Sequence, residues 1–144
     1  MSRVLSPDLC VIGAGAGGLA VAAGAAQMGA RVVLVERGRM GGDCLNHGCV
    51  PSKSLLAAAR LAGMWRRGAQ LGVHYAPPQV DFATVIDSVG HVIDRLAPNA
   101  SAERFTGLGV TVIAAEARFT DRRTVRAGDA AIRPRRVVIA TGSA

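Results

Sequence analysis

The sequence predicts an α/β fold: a parallel sheet, covering helices and a small β-meander. Three features carry that expectation. An apolar run, an alanine-rich helical segment and a second apolar run follow one another between Leu9 and Val35. Two further stretches, from Asp43 towards Trp65 and from Asp81 to about Pro98, repeat their apolar residues at helical spacing. Beyond Gly109 the pattern changes to short alternating runs separated by turn residues.

Leu9 to Ile12 ends at glycine and reads as a buried strand. Gly15 to Met28, with Leu19, Ala22, Ala23 and Ala26 on one face, reads as a helix that stops at Gly29. Arg31 to Val35 is the second strand, completing a β-α-β unit of the length that a parallel crossover requires. Asp43 is the expected N-cap of the next helix, and Pro51 is expected to distort its early turns. Gly68 to Pro78 reads as a loop. Asp81 caps an amphipathic helix with Phe82, Val85, Ile86, Val89, Ile93 and Leu96 on one face. Five strands follow: Val110–Ala115, Arg118–Phe119, Thr124–Arg126, Ala130–Ile132 and Arg136–Ala140.

The 144 residues suffice for one domain and are too few for two. The net charge of +7 raises nucleic acid as a partner. However, the densest basic group (Arg118, Arg122, Arg123, Arg126, Arg133, Arg135, Arg136) lacks the interleaved aromatics that base stacking needs, so a solvated arginine surface is expected instead. Leu9 to Ala30 carries no charge, but six glycines interrupt it, which makes a poor membrane helix. A soluble, cytoplasmic protein is expected, with no membrane partner. In such a reducing compartment a close cysteine pair tends to be catalytic or metal-binding.

Gly13-Ala14-Gly15-Ala16-Gly17-Gly18 satisfies G-x-G-x-x-G between a strand and a helix, and Glu36 ends the second strand 18 residues beyond Gly18. Gly13 permits the tight turn, Gly15 allows a pyrophosphate to approach the backbone, and Gly18 lets helix and strand pack. The helix N-terminus offers unpaired N–H groups and partial positive charge to phosphates. Glu36 is placed to accept hydrogen bonds from ribose hydroxyls. The unit is expected to be Rossmann-like and to bind an ADP-containing dinucleotide. The motif does not choose between FAD and NAD.

Gly41-Gly42-Asp43-Cys44-Leu45-Asn46-His47-Gly48-Cys49-Val50-Pro51-Ser52-Lys53 places two cysteines near a helix start, where the dipole and Lys53 are expected to lower their thiol pKa. A regular helix separates Cα atoms five residues apart by about 8–9 Å, from its rise and turn per residue. A disulfide wants under about 7 Å, so a bridge requires distorted backbone. Three alternatives stand beside a redox pair: a structural disulfide, metal binding through Cys44, His47 and Cys49, and inert thiols. Cys10, within the first strand, reads as core.

This segment resembles the active-site signature GGTCLNxGCxPSK of the class I pyridine nucleotide–disulfide oxidoreductases. GAGAGG with Glu36 resembles their FAD-binding unit, and the closing VVIATGSA resembles the strand and turn over their flavin. The resemblance runs along essentially the whole chain. It implies FAD as cofactor and Cys44–Cys49 as the redox-active disulfide, with Cys49 the charge-transfer thiol beside the flavin and Cys44 the interchange thiol that meets substrate. Lys53, the chain's single lysine, would lie near the flavin N5 edge. Glu36 would hold the adenosine ribose, and Gly41, Gly42 and Asp43 would run along the pyrophosphate and ribitol. The backbone at Ala117 would contact adenine, while Thr141 and Gly142 would close over the cofactor; Arg37 and Ser143 complete the implied cofactor-binding set. No resident metal is implied.

The resemblance also implies NAD(P)H as reductant, a homodimer at full length, and a small disulfide, dithiol or metal ion as substrate. Pro51-Ser52-Lys53 fits the dihydrolipoamide dehydrogenase and mercuric reductase branches better than the glutathione branch, and Leu45 with Ser54-Leu55-Leu56 leans towards the first. Asp43 departs from the usual threonine. The NAD(P)H and dimerisation domains cannot fit in these residues, and His47, His74 and His91 do not match the family's catalytic histidine. The expectation is therefore a truncated FAD-binding domain spanning residues 1–144, inactive by itself. The competing expectations are a non-catalytic nucleotide-binding fragment and a small metal-binding thiol protein.

Overall fold

The computed structural model describes residues 3–74 and 76–143; Met1 and Ser2 of the expected domain, Tyr75 of the expected loop and Ala144 of the expected closing turn lie outside the described residues. In chain order the elements are β1 (Arg3–Leu5), β2 (Leu9–Ile12), α1 (Ala16–Gln27), β3 (Val32–Glu36), α2 (Gly42–Asn46), α3 (Cys49–Gln70), α4 (Phe82–Leu96), a 3-10 turn (Ala97–Ala100), α5 (Ala102–Gly107), β4 (Thr111–Ala114), β5 (Ala117–Phe119), β6 (Val125–Ala127), β7 (Ala130–Ile132) and β8 (Arg136–Ile139).

A parallel sheet in the order β4-β3-β2-β8 forms the middle layer. Strand side chains alternate between its faces. Val11, Val32 and Leu34 turn towards α1 and Phe105 of α5, forming one buried cluster. Cys10, Val33 and Val35 turn the other way, against Val125, Ala127, Ala130 and Ile132 of the second sheet. That sheet, β1-β7-β6-β5, is the meander with β1 added in parallel to β7. The result is a three-layer α/β arrangement of the Rossmann type. Its strands are almost wholly apolar because both faces are covered.

Cys10 is fully buried, and burial pushes its thiol up to about 11, so it is packing rather than chemistry. Three elements depart from expectation. β1 has only three residues and pairs with a strand far along the chain, so no local period announces it. α5 is capped by the Ser101 hydroxyl, which accepts from the Arg104 N–H at 3.2 Å; this capping signal was the one available to sequence reading. The helix of the cysteine segment is two helices, and neither is capped by the Asp43 side chain. Pro51 is the third residue of α3, where its missing N–H costs nothing, so it leaves the early turns undistorted. The expected loop start at Gly68 is the last turn of α3, which runs to Gln70. α4 does begin at its Asp81 cap, but of its expected apolar face only Val89 is buried and Phe82 is 64% exposed.

At the amino ends of the strands Asp8 joins β2, β3 and β8. Its carboxylate accepts from the Arg31 guanidinium at 3.1 Å and the Arg31 N–H at 3.0 Å, and Arg135 lies 3.7 Å away. These Arg31 bonds hold the Asp8 carboxyl at about 2, against an ordinary 3.8. Between those values the unfolded chain binds more protons than the folded one, so this contribution is full above pH 3.8 and is lost as pH falls towards 2. Urea midpoints measured from pH 5 to pH 2 are expected to fall less steeply in Asp8→Asn than in the unsubstituted protein.

Candidate functional site

An open cleft of about 570 Å³ lies at the carboxyl ends of β2, β3 and β8. β2 sits between β3 and β8 and runs through the glycine turn into α1, so the cleft lies outside the carboxyl ends of the strands, where ligands of open α/β sheets bind. The lining includes Gly13, Gly15, Glu36, Arg37, Gly42, Asp43, Cys44, Thr141, Gly142 and Ser143, all expected site residues. Gly18 lies beneath the turn and Gly41 behind the cleft wall, while Cys49, Lys53 and Ala117 are not part of the lining. Ala117 pairs with Ala127 inside the meander and packs on the core.

Steric necessity explains the glycine turn. Gly13 has φ +102°, and a Cβ there would lie 2.2 Å from the Ala140 carbonyl oxygen; one on Gly18 would lie 1.9 Å from the Gly13 oxygen. The turn therefore closes against both β8 and α1. Gly15 caps α1 without a side-chain bond, and no acidic residue occupies the first turn. The N-terminal N–H groups of α1 are left for a ligand, with Ala16 and Gly17 in the cleft wall. The Glu36 carboxylate accepts from the N–H of Ala14 at 2.6 Å and of Gly38 at 2.7 Å, which fixes it on the cleft rim.

Cys44 lies in α2 and Cys49 begins α3, with the break at His47 and Gly48. The Asp43 carbonyl accepts from the N–H groups of both, at 2.8 and 2.6 Å. The backbone between the two cysteines is thus not one regular helix, and Gly48 rather than Pro51 marks the break. Both cysteines are free thiols here. The Cys44 thiol is pushed up, first by its hydrogen bond with Cys49, while Lys53 pulls the other way. For Cys44 the direction is thus upward rather than the expected lowering, the neighbouring Cys49 outweighing the lysine. Lys53 stands one turn beyond Cys49 on α3.

Gly38, Arg39, Asn46 and His47 line the cleft and were missed. Asn46 and His47 stood in plain view between the cysteines. Among the described residues no group of three or more His, Cys, Asp or Glu side chains is arranged to hold a metal ion. Nor is any described helix long and apolar enough to cross a membrane.

A side-chain-free glycine rim, an uncapped helix start and the cationic Arg37 and Arg39 fit the diphosphate of FAD. Residues 7–144 match the family model described as pyridine nucleotide-disulphide oxidoreductase. The chain is 38% identical to dihydrolipoyl dehydrogenase 3 of Haloarcula marismortui, with 96% of this chain and 30% of the relative covered. It is 34% identical to a mercuric reductase of Lysinibacillus sphaericus (94% and 25% covered) and 39% identical to that of Streptomyces lividans (95% and 30%). The chain thus spans about 30% of the length of such relatives. With the family model matching nearly its full length, the chain belongs to the pyridine nucleotide-disulphide oxidoreductase family.

Proposed function

We propose that the chain is the FAD-binding, disulfide-carrying part of an NAD(P)H-dependent flavoprotein disulfide oxidoreductase of the dihydrolipoyl dehydrogenase or mercuric reductase kind. The observation that carries the reading is one cleft lined by both the uncapped glycine turn and Cys44. FAD, when bound, supplies two-electron exchange between a nicotinamide and a disulfide. The α1 N-terminus and the turn at Gly13 and Gly15 hold the diphosphate, and Glu36 with Arg37 holds the adenosine end. Gly41, Gly42 and Asp43 border the middle of the ligand, Thr141, Gly142 and Ser143 cover it, and the Ala117 backbone is assigned to adenine. Lys53, one turn from Cys49, keeps a positive charge beside the sulfurs.

Two electrons and two protons convert the Cys44–Cys49 bridge to the two thiols. The Cys44 thiolate then attacks a substrate disulfide, forming a mixed disulfide and releasing one substrate thiol. Attack by the Cys49 sulfur on Cys44 restores the bridge and releases the second thiol. A mercuric ion would instead be held and reduced at the dithiol. In a protein of the relatives' length, NAD(P)H and the partner of a homodimer would act from outside these residues, in the cytoplasm, and the isolated chain is expected to turn over little. The visible spectrum tests the reading. Purified protein loaded with FAD is expected to retain it and to gain long-wavelength absorbance on mild reduction; a colourless protein with unreactive thiols contradicts it.

A further inference from the structure

We infer that Asn46 is a positioning residue that registers the cysteine pair against the dinucleotide turn. Its Nδ2 donates to the carbonyls of Met40 at 3.1 Å and Gly42 at 2.9 Å, which uses both amide hydrogens. Those carbonyls flank Gly41 and Gly42, consecutive residues in the left-handed region at φ +93° and +58°. Two such glycines in a row gain nothing from their own backbone preferences, so the turn needs outside anchors. Asn46 supplies one from within α2. The other is the Gly41 N–H, which donates to the Ala14 carbonyl at 2.8 Å.

The turn is also seated sterically. A Cβ on Gly42 would stand 2.7 Å from the Gly15 Cα, so the two glycine segments touch backbone to backbone. A continuous path results: Asn46, two residues beyond Cys44 in α2, grips the Gly41–Gly42 turn, which rests on Ala14 and Gly15 at the start of α1. Asn46 itself is half-buried and lines the cleft. Asn46 thus ties the helix that carries Cys44 to the glycine turn seated against the start of α1.

Asn46→Asp is isosteric and tests this directly. As a carboxylate it turns acceptors towards two carbonyls; once protonated it donates to one of them. Two quantities are compared with the unsubstituted protein between pH 8 and pH 5: FAD affinity by flavin fluorescence, and the rate of Cys44 alkylation by iodoacetamide, located by peptide mass. Lost hydrogen bonds of this kind predict at least about a tenfold loss of FAD affinity at pH 8. They also predict an altered relative alkylation rate, with both recovering at one pH midpoint on acidification. Asn46→Ala should show the losses without recovery, and it keeps the test open should the aspartate variant fail to fold at pH 8. Parallel behaviour of both variants and the unsubstituted protein across the range overturns the inference. The FAD arm rests on the function proposed above, whereas the thiol arm does not. If the unsubstituted protein takes up no FAD, that function falls and the thiol rates still decide on Asn46.

Discussion

Gly13→Ala is expected to destabilise the fold by about 3 kcal/mol or more. Holding a residue with a side chain in that backbone region costs about 1–3 kcal/mol, and displacing backbone in a filled interior adds a similar amount. The obstruction is the Ala140 carbonyl, 2.2 Å from the new Cβ, on a residue whose N–H is tied to the Ile12 carbonyl at the end of β2. Gly18→Ala meets the Gly13 carbonyl and should behave alike. Gly17→Ala is the control: its Cβ meets nothing within 4 Å. Exchange of glycine for alanine on a helix should leave it unchanged or more stable by up to about 1 kcal/mol. Urea unfolding of the three variants checks the order; equal stability of Gly13→Ala and Gly17→Ala would contradict the account of the turn.

Removing either member of the cysteine pair is expected to abolish reversible dithiol–disulfide exchange. Mild oxidation of the unsubstituted protein should couple Cys44 to Cys49 and leave buried Cys10 reduced, which peptide mapping reads. Cys44→Ser and Cys49→Ser should each form no internal bridge. Cys49→Ala carries a second, less obvious expectation. The bond from Cys49 is the largest influence raising the Cys44 pKa, and Lys53 opposes it. Without Cys49 the Cys44 pKa falls, the thiolate fraction at pH 8 rises, and alkylation of Cys44 should quicken. Slower alkylation would show that Lys53 does not act on Cys44 as inferred.

The β-α-β unit was legible because its strands are buried on both faces and its glycines answer clashes that recur wherever a strand, a tight turn and a helix must meet. Cys10 was legible for the same reason: an apolar neighbourhood in a strand leaves a thiol no chemistry. Spacing misled at the cysteines. Asp43 is a favoured capping residue by type, yet its backbone carbonyl, not its carboxylate, organises the break between α2 and α3. Asn46 was hidden because its partners are carbonyls oriented by two left-handed glycines, a matter of dihedral angles rather than residue type. The adenine assignment of the Ala117 backbone came from the resemblance alone, because no local pattern marks a strand whose backbone borders a ligand. β1 escaped because three residues cannot display a period.

Backbone amide NMR of the isotope-labelled chain, titrated in parallel with ADP and FAD, tests most directly whether one ligand spans glycine turn and sulfurs. Both ligands should shift Gly15, Gly17 and Glu36, and FAD alone should also shift Cys49 and Lys53. Shifts confined to the meander, or FAD moving the turn while leaving Cys49 and Lys53 as ADP does, would contradict the placement of the isoalloxazine against the cysteine pair.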